Sequence, residues 1–139
     1  MSGQSRIVGL DHVQLAMPIG GEEAARGFYG AVLGFVEVPK PAALGDRGGC
    51  WFVTADPGPA VALHLGTDRD FRPARRAHVA LLIDDLEAFR RTLDADGIET
   101  ADEGGDIGVR RFYAFDPFGN RLEFVDERDR GFTVPRPRA

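Results

Sequence analysis

Apolar and polar residues alternate over short stretches of this chain, and twice the alternation gives way to a helical spacing. Residues 9–17 and 76–83 are apolar segments of strand length, and each carries a histidine near its start. Each is followed by a stretch in which apolar residues recur three and four positions apart, which is typical of an amphipathic helix. The pattern therefore predicts that both halves of the chain begin with a strand followed by a helix.

The predicted helices have recognisable ends and one apolar face each. Asp84 and Asp85 precede the second helix, where acidic side chains can accept hydrogen bonds from the first free amide groups. The first helix ends at Gly34, which suits a left-handed C-cap, and the second ends at Gly97. The faces predicted to be buried consist of Ala24, Ala25, Phe28, Val32 and Leu33 in the first helix and of Leu86, Phe89 and Leu93 in the second.

A repeated segment extends the correspondence between the two halves. Phe52-Val-Thr-Ala-Asp-Pro57 matches Phe112-Tyr-Ala-Phe-Asp-Pro117 at an offset of 60 residues, from 52 to 112. Asp-Pro with a nearby glycine indicates a turn, and each turn leads into the strand that carries His64 or Glu123. Each half is thus predicted to fold as βαβββ, which gives an α+β protein of two modules packed about a pseudo-twofold axis.

The domain limits follow from this repeat. A chain of 139 residues with 43% hydrophobic content is long enough to bury a core as one domain. We predict a first module at residues 7–67 and a second at 74–126 within that single domain. Residues 127–139 are rich in proline and arginine, and their composition predicts a loose tail.

Composition and charge narrow the possible partners. A net charge of −5, without a basic stripe, argues against binding to nucleic acid. The apolar stretches have strand length, which argues against a membrane span, and the first residues do not have the pattern of a signal peptide. The single cysteine, Cys50, fits a reducing compartment, so we expect a cytoplasmic protein.

Strand periodicity places the polar residues of chemical interest on one side of the sheet. Side chains at neighbouring positions of a strand point to opposite faces, so His12 lies on the face opposite to Val13. The same alternation separates His64, His78 and Glu123 from the apolar residues beside them. Because the apolar faces must contact the helices, these polar side chains are predicted to face the other side, which forms a cup in a curved sheet.

Three imidazoles and one carboxylate on this face predict a metal site. Such donors suit Zn²⁺, Fe²⁺, Ni²⁺, Mn²⁺ and Co²⁺, and four ligands leave two positions of an octahedral ion for water or for a substrate with adjacent oxygens. Taken singly, each histidine could instead be a hydrogen-bonded structural residue, and Glu123 could pair with Arg111 or Arg121. The matched positions of all four favour the metal site.

Four further residues are candidates for substrate contacts. Arg111 and Tyr113 alternate with Phe112 and are therefore predicted to face the cup, as is Gln14 two residues after the first histidine. Trp51 can line the same cavity. Arg111 could equally form a structural salt bridge to Glu123, and Trp51 could instead fill the core.

The motifs together resemble the vicinal oxygen chelate superfamily, which includes glyoxalase I, fosfomycin-resistance thiol transferases, methylmalonyl-CoA epimerase, extradiol dioxygenases and bleomycin-resistance proteins. The resemblance covers about residues 7–126. It is carried by Leu10-Asp-His-Val, Phe28-Tyr-Gly-Ala-Val-Leu-Gly-Phe, His78-Val-Ala-Leu-Leu-Ile-Asp-Asp and Asp116-Pro-Phe-Gly-Asn-Arg-Leu-Glu-Phe. It implies paired βαβββ modules, a U-shaped mixed sheet around a divalent ion with helices outside, and commonly a homodimer.

The resemblance also implies roles for single residues. The three-ligand set of the thiol transferases falls on His12, His78 and Glu123, while His64 stands where glyoxalase I has a glutamate. His64 is then a fourth ligand or a base that transfers a proton. We expect a divalent-metal-dependent enzyme acting on a small chelating substrate, with a lyase or isomerase, thiol-transferase or dioxygenase reaction. The alternative is a metal-free binding protein of the bleomycin-resistance kind, with Trp51 and Tyr113 lining an apolar cup.

Overall fold

Two four-stranded sheets, one from each half of the chain, form the framework of the molecule. The computed structural model describes residues 3–138. The strands of the first sheet are β1 (Val13–Pro18), β2 (Val36–Val38), β3 (Cys50–Val53) and β4 (Ala62–Asp68), in the order β1-β4-β3-β2. Those of the second sheet are β5 (Val79–Ile83), β6 (Thr100–Ala101), β7 (Arg111–Phe115) and β8 (Arg121–Asp126), in the order β5-β8-β7-β6. The predicted α+β fold of two βαβββ modules is confirmed.

Each module has a helix between its first two strands, as the apolar spacing predicts. In the first module α1 (Glu22–Ala25) continues into a π-helical segment, Arg26–Val32, and in the second module α2 spans Leu86–Ala95. The Asp85 carboxylate accepts a hydrogen bond from the amide of Ala88 at 3.0 Å, which confirms the predicted N-cap. None of the helices in residues 3–138 is long and apolar enough to cross a membrane.

The first helix has π-helical hydrogen bonds in its second part, and its buried face differs from the predicted one. The amide of Leu33 donates to the carbonyl of Phe28, five residues back, at 2.9 Å. Tyr29 is fully buried beside Phe28 and lies four residues after the buried Ala25, whereas Ala24 is exposed. The expectation that Ala24 lies on the buried face was therefore wrong, because that face is centred on Ala25, Phe28 and Tyr29 and Ala24 lies outside it.

The hydrogen-bond register makes the two modules equivalent strand by strand. β1 and β4 run parallel with Gln14 opposite His64, and β5 and β8 run parallel with Ala80 opposite Glu123. On the other side of β4 and β8, Trp51 lies opposite His64 and Tyr113 lies opposite Glu123. The residues at matched positions of the two sheets are thus His64 and Glu123, and Trp51 and Tyr113.

The Phe-to-Pro repeat of the sequence is not aligned with this register. Phe52 lies opposite Leu63, the residue before His64, whereas Phe112 lies opposite Phe124, the residue after Glu123. The turns explain the difference, because residues 54–61 join β3 to β4 and the shorter stretch 116–120 joins β7 to β8. Equal sequence in the two turns therefore does not mean an equal structural role.

The β7–β8 turn of the second module packs against the first module. The Tyr29 hydroxyl donates to the buried Asp116 carboxylate at 2.7 Å, and the Asn120 side-chain amide donates to the Ala16 carbonyl at the same distance. Phe118 lies against Gly21, where an added Cβ would be 3.0 Å from the phenyl ring. These contacts hold the two modules together.

The tail that composition predicts to be loose contains two short helical turns. They are a 3₁₀ turn, Glu127–Asp129, and α3, Arg130–Thr133. Arg110, the residue before β7, holds them through Asp129, with its side chain donating at 2.9 and 3.0 Å. The first part of the tail is thus attached to the second module.

Candidate functional site

The first module presents a stack of three aromatic rings on the cup side of its sheet. The His64 ring lies flat on the Trp51 indole, with ring centroids 4.0 Å apart and 6° between the planes. The His12 ring covers the other side of His64 at 4.3 Å and 19°. The stack follows from the register, because Trp51 and His64 are directly opposite on neighbouring strands and His12 precedes the strand on the far side.

The stack determines what His64 can do. Burial, followed by the neighbouring His12, lowers the pKa of His64, so its imidazole is neutral around pH 7 and can accept a proton. A metal ion binds in the plane of an imidazole ring, and the planes of His12 and His64 lie one above the other. In this arrangement the two rings cannot share one ion. The geometry therefore favours the base role over the ligand role for His64.

His12 is oriented by the residue before it. Its Nδ1 lies 2.6 Å from a carboxylate oxygen of Asp11, and since a carboxylate only accepts, Nδ1 carries the proton. The lone pair is then on Nε2. A carboxylate on the far nitrogen is the arrangement that commonly orients a metal-binding histidine.

The second module places His78 beside Glu123. His78 Nδ1 is 2.7 Å from the Arg76 carbonyl, so this nitrogen donates and Nε2 carries the lone pair. Nε2 lies 3.5 Å from Glu123 Oε1, and the Glu123 side chain is only 8% exposed. The imidazole nitrogen and the carboxylate oxygen are thus close enough to each other to serve as ligands of one cation.

Charged and aromatic residues surround this second pair. A cavity of about 420 Å³ is lined by Arg76, His78, Glu103, Gly104, Arg111, Tyr113 and Arg121. Arg111 reaches Glu123 at 3.4 Å, so the alternative salt bridge considered from the sequence is present. Burial, followed by the neighbouring Glu123 carboxylate, raises the pKa of the Tyr113 hydroxyl, which therefore stays protonated.

Gln14 and Trp51 face a smaller cavity in the first module. The cavity holds about 230 Å³ and is also lined by Lys40, Leu44, Arg47, Gly48, Leu65, Gly66 and Thr67. The Gln14 side chain lies over Gly66, where an added Cβ would be 2.6 Å from its amide nitrogen. Because Gly66 has no side chain, it leaves space for the Gln14 side chain of the neighbouring strand β1.

The predicted metal residues come together as two pairs within one chain. His12 and His64 are in contact in the first module, and His78 and Glu123 are in contact in the second. Among residues 3–138, no three His, Cys, Asp or Glu side chains lie close enough together to hold a metal ion. The donor types nonetheless fit a divalent ion, with two Nε2 lone pairs and a buried carboxylate. Metal binding by these residues stays a prediction.

Sequence reasoning did not identify two residues that make important contacts, Arg121 and Tyr29. Arg121 was considered only as a partner of Glu123, yet its guanidinium lies 4.0 Å from the centre of the Tyr113 ring. The period of two places Arg121 and Glu123 on one face of β8, so alternation alone could have identified it. Tyr29, which donates a hydrogen bond to Asp116, lies four residues after the apolar Ala25, and this spacing could have indicated that it is buried.

Comparison with known proteins places this chain in a family. The model of the Glyoxalase/Bleomycin resistance protein/Dioxygenase superfamily matches residues 9–124. A Bacillus anthracis protein of known structure, described as a putative glyoxalase family protein, is 44% identical over 89% of this chain and 98% of its own, with a TM-score of 0.81. None of the curated proteins matches the sequence.

More distant structures share the fold. The fosfomycin resistance protein FosX from Listeria monocytogenes is 15% identical over 93% of this chain and 99% of its own, with a TM-score of 0.71. A variant of FosX has been crystallised with Mn(II) and 1S,2S-dihydroxypropylphosphonic acid. TnmS3, an antibiotic binding protein from Streptomyces sp. CB03234, is 24% identical over 86% of this chain and 98% of its own, with a TM-score of 0.63. The chain belongs to the Glyoxalase/Bleomycin resistance protein/Dioxygenase superfamily.

Proposed function

We propose that the protein is a divalent-metal-dependent enzyme that acts on a small molecule able to chelate the ion through neighbouring oxygens. The observation that carries the proposal is the tautomer of two histidines. Both His12 and His78 have Nδ1 committed to an acceptor, which leaves Nε2 free, and the buried Glu123 carboxylate lies beside the second of them. His12, His78 and Glu123 would hold the ion, which could be Zn²⁺, Ni²⁺, Fe²⁺, Mn²⁺ or Co²⁺. When bound, such an ion polarises substrate oxygens and makes neighbouring protons more acidic.

We assign the proton transfer to His64. Its lowered pKa keeps the imidazole neutral, and the rings of Trp51 and His12 hold it in one orientation. Tyr113 and Arg111 lie beside Glu123, and Gln14 lies opposite His64, so these side chains and Trp51 are the ones we expect to position the substrate. The chemistry is then a proton transfer or group transfer next to a chelating oxygen, as in a lyase, isomerase, thiol transferase or dioxygenase.

We further propose that two copies of the chain complete the site. One chain supplies His12 from its first module and the other supplies His78 and Glu123 from its second, since each pair is separate within a chain. Apolar surface supports such an assembly: Ile7, Val8 and Leu10 are 82–95% exposed, and an apolar groove of about 400 Å³ runs between the modules. Cys50 is buried and free, which is consistent with the reducing cytoplasm in which we expect the protein.

Metal analysis of chelator-free protein tests the first proposal. Thermal melts are recorded on adding Ni²⁺, Zn²⁺, Mn²⁺, Fe²⁺ and Co²⁺ in turn. An ion that binds only the folded protein stabilises it by about 2.7 kcal/mol at a hundredfold excess over Kd, so the melting temperature should rise with concentration. Absence of bound metal together with unchanged melting for all five ions would exclude the enzyme proposal.

Mixing two defective chains tests the shared site. His12→Ala and Glu123→Ala each remove one donor, and each homodimer should lose the ion. A heterodimer of the two variants contains one complete site if the donors come from different chains, and none if they come from the same chain. Recovery of one ion per heterodimer supports the proposal, whereas no recovery from a stable heterodimer contradicts it.

A second candidate is a metal-free binding protein for an aromatic molecule. The face-to-face stack of His12, His64 and Trp51 favours it, because this surface can accept a further flat ring. The antibiotic binding protein TnmS3 shares the fold. Saturable quenching of Trp51 fluorescence by a flat aromatic compound, in protein that binds none of the five ions, would favour this candidate over the enzyme.

A further inference from the structure

The cavity beside His78 and Glu123 contains two guanidinium groups around one phenol ring. Arg121 lies over Tyr113 at 4.0 Å from the guanidinium carbon to the ring centre, and Arg111 lies at 5.5 Å. Both arginine side chains are largely covered, at 21% and 17% exposure. The ring and the ion pairs of Arg111 with Glu123 and of Arg121 with Glu103 restrict both guanidinium groups before any ligand arrives.

Arg121 has donor capacity that the protein leaves unused. Its Nε is shielded from solvent and has no hydrogen-bond partner in the part of the chain that the structure describes. A buried donor without a partner is costly, and a ligand or a bound water can satisfy it. Nε and Nη2 together form the edge of the guanidinium that binds a carboxylate or phosphonate through two oxygens.

A carboxylate already occupies part of that edge. Arg121 Nη2 lies 2.7 Å from Glu103, which is 54% exposed and follows the short strand β6. An exposed glutamate on a loop is easily displaced, since a surface ion pair of this kind contributes little stability. Glu103 shows that an oxyanion fits next to Arg121, in the cavity that also contains His78.

We propose that this cavity binds an oxyanion group of the substrate, a carboxylate or a phosphonate, and that Glu103 holds its place in the free protein. Arg121 receives the anion through Nε and Nη2, with Arg111 and Arg76 adding positive charge at the same cavity. This inference rests on the proposed function and narrows it. The substrate would carry a negative group within a few ångströms of its chelating oxygens.

Titration of the full chain with two simple anions tests the proposal. The probes are methylphosphonate and acetate, added without metal, and the signals are the arginine Nε–H resonances in ¹⁵N spectra. We expect saturable shifts of the Arg121 and Arg111 signals with at least one probe, and the stronger probe identifies the anion type. Arg26, which is held by Glu37 at 2.8 Å on the outer surface, is the reference signal that should not move.

Two substitutions with opposite expected effects sharpen the test. Arg121→Met should weaken binding by about tenfold or more, because charge-assisted hydrogen bonds are lost. Glu103→Gln should tighten binding by roughly threefold to tenfold, since the competing carboxylate is removed, and this exposed change leaves the fold intact. Arg26→Met is the matched control and should bind like the unaltered protein.

The outcomes separate this inference from the proposed function. Tighter binding by Glu103→Gln supports it even if Arg121→Met fails to fold. No saturable shift with either probe, equal shifts at Arg26, or no gain in affinity with Glu103→Gln would overturn it. Because no metal is added, a negative result leaves the metal proposal standing, and a failure to bind metal leaves the anion result standing.

Discussion

The two modules have the same strands in the same register, yet their cup faces carry different chemistry. At the central pair of positions the first module has His64 against Trp51, an uncharged stack of rings. The second has Glu123 against Tyr113, a carboxylate flanked by arginines. The same backbone thus supports a neutral half and a charged half.

The difference shows how a duplicated scaffold can divide the tasks of one site. Cross-strand pairing sets where side chains meet, and it does so identically in both sheets. The side chains then determine whether a position transfers protons or binds charged groups. In our proposal the first module supplies one metal ligand and a base, while the second supplies two ligands and recognises the anion.

Removing the carboxylate of the charged half should have the largest effect. Glu123→Gln keeps the shape but removes the negative donor beside His78 Nε2, so we expect metal affinity to fall by roughly a hundredfold or more. His64→Gln, the matched change in the neutral half, should lower metal affinity far less. Calorimetric titration with the best-binding ion measures both. Equal losses would show that His64 is also a ligand.

The repeated Asp-Pro turns offer a second contrast, in stability. Asp116 accepts hydrogen bonds from Tyr29, from the Phe118 amide and from Asn120, all at 2.7–2.9 Å, whereas Asp56 is exposed. Asp116→Ala leaves these donors buried without an acceptor and should lower the free energy of unfolding by about 3 kcal/mol.

Asp56→Ala is the control for this change and should alter stability by about 0.5 kcal/mol or less. Urea unfolding of both variants gives the comparison. If the two substitutions cost the same, the turn of the second module does not hold the modules together in the way described. Tyr29→Phe, which removes one of the hydrogen bonds, should fall between them at about 1 kcal/mol.

Opening the ring stack should change a pKa rather than the fold. Trp51→Leu exposes His64 to water, so its pKa should rise toward the ordinary 6.5. Folding lowers the pKa of His64 and so favours its neutral form. The stability linked to neutral His64 is therefore fully present above pH 6.5, and it is lost as pH falls from 6.5 through the folded pKa. The variant should lose this pH dependence below pH 6.5.

Imidazole resonances followed in metal-free protein measure the His64 titration directly. Tyr113→Leu, the matched change in the second module, should leave it unaltered. A shift of the same size in both variants would mean that His64 responds to general loosening of the protein and not to the indole that covers it.

Periodicity predicted much of this architecture, because each half repeats a strand, a helix and three strands with clear apolar faces. It also placed His12, His64, His78 and Glu123 on the cup side. It could not predict the π-helical segment Arg26–Val32, since an inserted residue in a helical turn leaves the composition unchanged. Nor could it predict the register difference at Phe52 and Phe112, which depends on the lengths of the turns.

The pairing of the site residues was likewise beyond sequence reasoning. Matched positions in a repeat show that side chains are equivalent, but not which of them touch. The contacts of His78 with the Arg76 carbonyl and of Arg121 with Tyr113 depend on side-chain orientation, which alternation does not specify. For this reason the sequence predicted one group of four residues where the structure has two pairs.

The smallest expected effect concerns the tail, which has no equivalent in the first module because that module continues directly into the second. Hydrogen bonds from Arg110 lower the pKa of Asp129 to about 2. The stability contributed by this carboxylate is therefore present above its unfolded pKa near 3.8 and is lost as pH falls toward 2.

Asp129→Asn should remove that part of the acid sensitivity and shift the melting temperature by about a few degrees at most. Glu127→Gln, at an exposed position of the same turn, is the control and should cause neither change. Melting curves at pH 5, 4 and 3 distinguish the two, and identical behaviour would show that the helical turns after β8 do not stabilise the second module.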